Sequence, residues 1–187
     1  GVKWGRNLQI YKSPDGTVCE CCHPSVTASG KGDIAVMWRN SLGGARDMYW
    51  AKSSDGGKSF AAAEKLGTKS WQLNACPMDG GALVLQDDGQ PISAWRRDKA
   101  VYWSAASGNE SKLANGTQAV VTLAAGQPVF AWTAEHAIRA QRPGGPVQTL
   151  GDGNYASLAT QAKTGAVFAV WENDKALAQG LRFTLLE

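Results

Sequence analysis

Four apolar segments, each closing on a tryptophan, set the frame of this chain. They are Ile34-Ala35-Val36-Met37-Trp38, Pro91-Ile92-Ser93-Ala94-Trp95, Pro128-Val129-Phe130-Ala131-Trp132 and Val167-Phe168-Ala169-Val170-Trp171. Each reads as a strand, and each follows a turn: Gly30-Lys31-Gly32-Asp33, Asp87-Asp88-Gly89-Gln90, Ala125-Gly126-Gln127 and Lys163-Thr164-Gly165. Another small or apolar strand lies before each turn, over residues 25–28, 81–85, 119–123 and 155–160. A polar loop and a third strand follow each tryptophan, over residues 47–52, 100–105, 137–141 and 176–180.

Successive tryptophans are 57, 37 and 39 residues apart. Repeats of ~40–50 residues with three or four strands each are the signature of β-propeller blades. The chain is therefore expected to be all-β, with about four blade-like repeats in a single domain over residues 1–187. The blades fall at about 23–67, 76–116, 117–153 and 154–187, after a half-blade at 1–22. The first spacing is longer because the loops 40–46 and 65–75 are expanded, and expanded loops on a rigid scaffold tend to carry function. Residues 7–13 look like the third and fourth strands of a preceding blade. That orphan half-blade implies a piece of a larger, six-bladed propeller. Closure with four blades, or by a second protein chain completing or docking on the propeller, are the alternatives.

Composition excludes several classes. Charged residues are 19% and apolar residues 43% of 187, which is not the balance of a disordered chain. The net charge of +3 comes without a basic stripe, so nucleic acid is not an expected partner. No apolar run approaches the ~20 residues of a membrane helix. The sequence starts at Gly1, shows no signal peptide, and has an even number of cysteines. Those features fit a processed, exported protein, periplasmic or secreted, or a fragment.

Chemistry concentrates in Cys19-Glu20-Cys21-Cys22-His23-Pro24, with a fourth thiol in Cys76-Pro77-Met78. Propeller strands alternate in direction, so both segments lead into the first strands of adjacent blades at one face. The loop 40–46 opens on that face. Cys19, Cys21, Cys22, Cys76, His23, Met78, Arg39, Arg46 and Asp47 are thus expected around one channel mouth. Three chemistries compete there. Cys19, Cys21, Cys22 and Cys76 with His23 or Met78 form a ligand pool for a soft metal, copper or zinc. The four cysteines also permit three disulfide pairings, and one through Cys76 would tie neighbouring blades. In an extended segment Cys21 and Cys22 point to opposite faces and would not share a partner. Finally, Cys19-x-x-Cys22-His23 satisfies C-x-x-C-H, the attachment pattern of haem c, with Met78 as a second axial candidate.

Ser53-Ser54-Asp55-Gly56-Gly57-Lys58-Ser59-Phe60 matches S-x-D-x-G-x-x-F, and Ser13-Pro14-Asp15-Gly16 looks like a degraded copy. The pattern is the Asp-box, or bacterial neuraminidase (BNR) repeat, of sialidase-like propellers. Ser53, Asp55, Gly57 and Phe60 would be structural, closing a tight turn between third and fourth strands. With CECCHPSV, GDIAVMWRN, ARDMYWAKSSDGGKSF and WQLNACPMDGGAL, residues 7–105 resemble bacterial sialidase-like propeller proteins carrying a C-x-C-C-x-P motif. The resemblance implies a sialidase-like glycoside hydrolase as one activity. Sialidases use three arginines, a Tyr nucleophile with a Glu partner, and an Asp near an early Arg-Ile-Pro motif. That motif is absent, and no Tyr/Glu pair can be assigned by spacing. Arg39, Arg46 and Asp47 remain as the catalytic candidates.

Other residues carry blander expectations. Trp38, Trp95, Trp132 and Trp171 recur by register and are expected to pack between blades. Trp71 in an expanded loop is a candidate for lining the mouth. His136 is expected in a loop, and Arg96-Arg97-Asp98-Lys99 as a solvated hairpin turn from which Arg96 reaches the mouth. The leading reading is a binding module with a soft-metal site. A sialidase-type hydrolase and a haem electron-transfer module are the alternatives.

Overall fold

The structure is a computed structural model that describes residues 3–105, 108–173 and 180–186. It holds four antiparallel sheets and no helix among the described residues. Sheet one contains β1 (Ser25–Ala28), β2 (Ile34–Arg39), β3 (Met48–Ser53) and β4 (Glu64–Lys65). Sheet two contains β5 (Ala82–Leu85), β6 (Pro91–Arg97), β7 (Ala100–Ser104) and β8 (Ser111–Asn115). Sheet three contains β9 (Thr117–Ala124), β10 (Gln127–Ala134), β11 (Ala137–Gln141) and β12 (Gln148–Asp152). Sheet four contains β13 (Asn154–Thr160), β14 (Val167–Asn173) and β15 (Gly180–Leu186). In every sheet the spatial order is the chain order, so each is a meander built from local hairpins.

Burial patterns reveal how the sheets stack. Residues Pro91 to Trp95 of β6 are buried on both faces, as are Pro128 to Thr133 of β10. A strand loses its in/out alternation only when both faces are covered. β14 keeps the alternation: Val167, Ala169 and Trp171 are buried while Val170 and Glu172 face out. Sheets two and three are therefore inner layers, and sheet four has one covered face.

Three apolar clusters join the layers. Ala35, Met37, Met48 and Trp50 of sheet one meet Leu83, Leu85 and Trp95 of sheet two. Ile92, Ala94 and Val101 meet Val121, Phe130 and Trp132 of sheet three. Val129, Ala131 and Ile138 meet Ala156, Val167, Ala169 and Trp171 of sheet four. The recurrent tryptophan thus fills each junction, and truncating one such buried ring costs about 3–5 kcal/mol. Trp38 has no preceding sheet to meet; Tyr11 covers it at 4.8 Å between ring centroids.

A glycine accompanies the tryptophan at two of these junctions. Gly116 and Gly153 sit just before β9 and β13 with φ of 150° and 143°. A Cβ there would lie 2.5 Å from Trp132 Cδ1 and 2.6 Å from Trp171 Cδ1 respectively. Only glycine combines that backbone angle with so close an approach.

One expectation about strands is corrected, and another is seen only in part. Residues 7–13 form no strand; nearby, the chain makes a single bridge, Val18 with Asn40. A strand needs a neighbour for its amides and carbonyls, and this segment is paired with none of the described sheets. The third strand of the last repeat, expected at 176–180, is seen as Gly180–Leu186, while residues 176–179 lie outside those described. It pairs along its whole length with β14, from Asn173 with Gly180 to Val167 with Leu186.

Candidate functional site

Strand register fixes which loops share an end of the stack. Arg39 pairs with Met48 at one end of sheet one, and Ile34 with Ser53 at the other. The cysteine segment leads into β1 at the Arg39 end, beside the loop 40–46. The turn 53–60 lies at the opposite end.

The segment before β1 hangs from β2. Cys19 N donates to Arg39 O at 2.8 Å, and Cys22 N donates back to Cys19 O at 3.2 Å. This i to i+3 bond folds residues 19–22 into a turn, so Cys21 and Cys22 do not diverge as they would in an extended segment. Cys19 and Cys22 are buried thiols, 5% and 6% exposed, and neither is in a disulfide. Cys21 and Cys76 are exposed and joined as a disulfide across 55 residues, with Cα atoms 6.7 Å apart. Cys19 Sγ stands 3.9 Å from Cys21 Sγ and 4.0 Å from Cys76 Sγ. All four sulfurs lie within 4.8 Å of one another. His23 is not part of that group; it and Met78 are both exposed, Met78 at 72%.

A buried cation backs the sulfurs. Arg39 is 1% exposed, and its donors reach three carbonyls: Asp79 at 2.8 Å, Arg46 at 2.6 Å and Arg96 at 3.0 Å. Burial lowers its proton affinity, while Asp79 and the Cys22 and Cys19 thiols raise it. Burial first, then the bond from Cys22, pushes the Cys19 thiol up to about 11, against the pull of Arg46 and Arg39. Cys19 is thus held as a neutral thiol near pH 7.

The expanded loop after β4 is pinned on this same end. Asp47 accepts from Trp71 N at 2.9 Å and pairs with Lys65 at 2.9 Å. Arg46 N donates to Trp71 O at 2.8 Å. The guanidinium groups of Arg39 and Arg96 each lie over the Trp71 ring, 5.5 Å from its centroid. Arg97 is not solvated as expected: it binds Glu110 through two bonds of 2.7 and 2.6 Å and covers Tyr102. Glu110 also accepts from Thr68 N at 3.0 Å. Arg39 and Asp47, two catalytic candidates, therefore hold loops in place, while Arg46 is half-buried with Nε 3.4 Å from Leu73 O.

A chain of bonds then links the first strands of the four sheets. Ser25 Oγ donates to Gly81 O at 2.6 Å, Gln118 N to Asp79 Oδ2 at 2.8 Å, and Tyr155 N to Gln118 Oε1 at 3.2 Å. Asp79 is 2% exposed, and its Oδ1 has no hydrogen-bond partner. Sequence reasoning missed Asp79 and Gln118. Their one local signal is the left-handed backbone at Met78, Gln118 and Tyr155, with φ of 50°, 56° and 56°, and residue type does not reveal it.

At the opposite end, Asp55 organises the turn 53–60. Its Oδ1 accepts from Ser53 Oγ at 2.7 Å, Lys58 N at 2.9 Å and Ser59 N at 3.0 Å; its Oδ2 accepts from Ser59 Oγ at 2.6 Å. Gly57 N donates to Ser53 Oγ at 2.9 Å, and Phe60 is half-buried. The Ser59 and Ser53 bonds hold the Asp55 carboxyl well below its usual range. His136 is exposed in the hairpin between β10 and β11.

No protein-family profile and no curated protein matches the chain. Among solved structures, the leech intramolecular trans-sialidase complexed with 2,7-anhydro-Neu5Ac is similar with a TM-score of 0.54 at 11% identity, over 85% of this chain and 30% of that one. The endo-arabinase from Bacteroides thetaiotaomicron gives a TM-score of 0.47 at 14% identity, over 88% of this chain and 74% of that one. The chain thus spans less than a third of the length of the trans-sialidase. At such identity the likeness is one of fold. The class it defines is an all-β chain of antiparallel sheets that shares its fold with part of the trans-sialidase. The feature that marks out this particular chain is the four-sulfur cluster at one end of its sheets.

Proposed function

We propose that this chain is part of an exported, sialidase-like β-propeller that acts as a binding module, with one soft metal ion, copper(I) or zinc, on Cys19, Cys21, Cys22 and Cys76. The carrying observation is that four sulfurs from two distant segments lie within 4.8 Å of one another. Zinc–thiolate bonds of ~2.3 Å in a tetrahedron place sulfurs ~3.8 Å apart. The separations of 3.9 and 4.0 Å around Cys19 are close to that spacing. The donor set is all sulfur, which suits a soft or borderline cation. Arg39 and Arg46 supply positive charge that favours thiolates. In this reading the four sheets are four blades of a larger, six-bladed ring, and the mouth end carries the metal.

Metal analysis of the reduced protein tests it, run together with thiol titration and an intact mass. One zinc or copper per chain, lost in Cys19→Ser, is the expected result. Absence of metal from the reduced protein, with the Cys21–Cys76 bond re-forming on oxidation, would reduce the cluster to a staple. An absorption band in the haem Soret region, with the matching mass increment, would establish the haem alternative on Cys19, Cys22 and His23.

The glycoside-hydrolase alternative draws on the fold shared with the leech trans-sialidase. Turnover of a fluorogenic sialoside by the protein, abolished in Arg46→Ala, would replace the binding-module reading.

A further inference from the structure

Two of the four sulfurs are exposed and joined, and two are buried thiols. Cys19 Sγ is nearly equidistant from both sulfurs of the bond, at 3.9 and 4.0 Å. The segments that carry the cysteines are also held by bonds that involve no sulfur. Cys19 N reaches Arg39 O, Arg39 Nε reaches Asp79 O, and Ser25 Oγ reaches Gly81 O. Bonds without sulfur thus also hold the segments that the Cys21–Cys76 disulfide joins.

From this arrangement we propose that the Cys21–Cys76 disulfide is a redox gate on the metal site. The proposal rests on the metal-site reading. While the bond is closed, Cys21 and Cys76 carry no thiolate, and only Cys19 and Cys22 can bind a cation. Opening the bond doubles the number of thiolate donors without moving the backbone that presents them.

The reductant is a small or protein dithiol. One of its thiolates attacks the exposed sulfur of Cys21 or Cys76, which expels the other cysteine as a thiolate and forms a mixed disulfide. The second thiol of the reductant then displaces the protein sulfur. One S–S bond breaks in the protein and one forms in the reductant. Two electrons and two protons pass to Cys21 and Cys76. Metal binding afterwards displaces thiol protons and involves no further redox change. Exposure places the joined pair where a reductant can reach it. Burial keeps Cys19 and Cys22 from competing reactions.

The gate predicts a difference between two states of one protein. Thiols are counted by alkylation in denaturant, with and without prior dithiothreitol. Zinc and copper(I) affinities are then measured on both forms after removal of the reductant. Two thiols in the oxidised form and four in the reduced form are expected. The reduced form should bind one metal about 100-fold or more tightly than the oxidised form, since two of four thiolates are restored. Cys76→Ser has no gate, so its affinity should be weaker than that of the reduced wild type and independent of dithiothreitol. Circular dichroism of that variant confirms folding, and the wild-type comparison stands without it. Equal affinity in the two wild-type states, or four thiols after air oxidation, overturns the gate and leaves the metal site standing. No metal on the reduced wild type overturns the metal site and the gate together, while the thiol count still records the disulfide.

Discussion

Single residues on this fold are tied to more than one segment, and that sets the size of their effects. Arg39 joins the carbonyls of Asp79, Arg46 and Arg96 from within the core. Arg39→Met is expected to leave these acceptors without a partner and to cost on the order of 3 kcal/mol in denaturant unfolding. Glu110 shows the effect of pH. Burial pushes its carboxyl up, but the bonds from Arg97 and the Thr68 amide outweigh that and hold it below its ordinary value. Its pKa is then lower in the folded chain than the ~4.3 of the unfolded one, so the unfolded chain binds more protons in that range. Stability from Glu110 is present above about pH 4.3 and is lost as pH falls through its folded-state pKa. Asp55 acts with the same sign, and its contribution is lost as pH falls below about 4. Thermal melts between pH 3 and 6 should show the loss, and Glu110→Gln should flatten the profile. An unchanged profile would mean that this pair contributes nothing measurable.

Among elements, the loop 66–81 is the one whose order depends on distant partners. It has no strand ladder of its own, and Asp47, Arg46, Arg39 and Glu110 hold it. Asp47→Ala removes the acceptor of Trp71 N and the partner of Lys65 together. Limited proteolysis is expected to cut within 66–81 several-fold faster in that variant, while sheets two and three stay protected. Cleavage elsewhere first would show that the loop is held by its disulfide alone. The spacing of tryptophans predicts most of the strand positions because turn chemistry and apolar runs are local signals. It misplaces residues 7–13. Pairing there depends on a neighbouring edge, and residue type does not encode one.

Across the whole molecule, the sheets form a series with covered middles and one open end. β6 and β10 are buried on both faces, whereas β15 exposes Leu181 at 74% and Phe183 at 64%. Amide exchange should therefore be fastest in β15 and slowest in β6 and β10. Exchange of equal rate throughout would mean that the stack opens only as a unit. The Cys21–Cys76 bond spans 55 residues and links sheet one to the segment leading into sheet two. Loop-closure entropy puts its stabilisation at about 4 kcal/mol at most. Reduction should lower the melting temperature by several degrees without changing the far-UV spectrum.

Amino-acid order on its own carries the all-β character, the recurrence of a tryptophan-closed strand, and the cysteine-bearing segments that precede β1 and β5. These follow from composition and from periodicities that a chain holds locally. Alternation of strand direction also places both cysteine segments at one end. How the sulfurs divide emerges only in three dimensions. The turn at 19–22 turns Cys21 towards Cys76 and sends Cys19 and Cys22 inward. Tertiary contacts likewise commit Arg39 and Asp47 to carbonyls, an amide and a lysine, and use Asp79 and Gln118 to link successive sheets. Such assignments depend on which groups meet across as many as 57 residues of chain. Close packing and the need to satisfy buried polar groups settle them, and neither leaves a mark on local sequence.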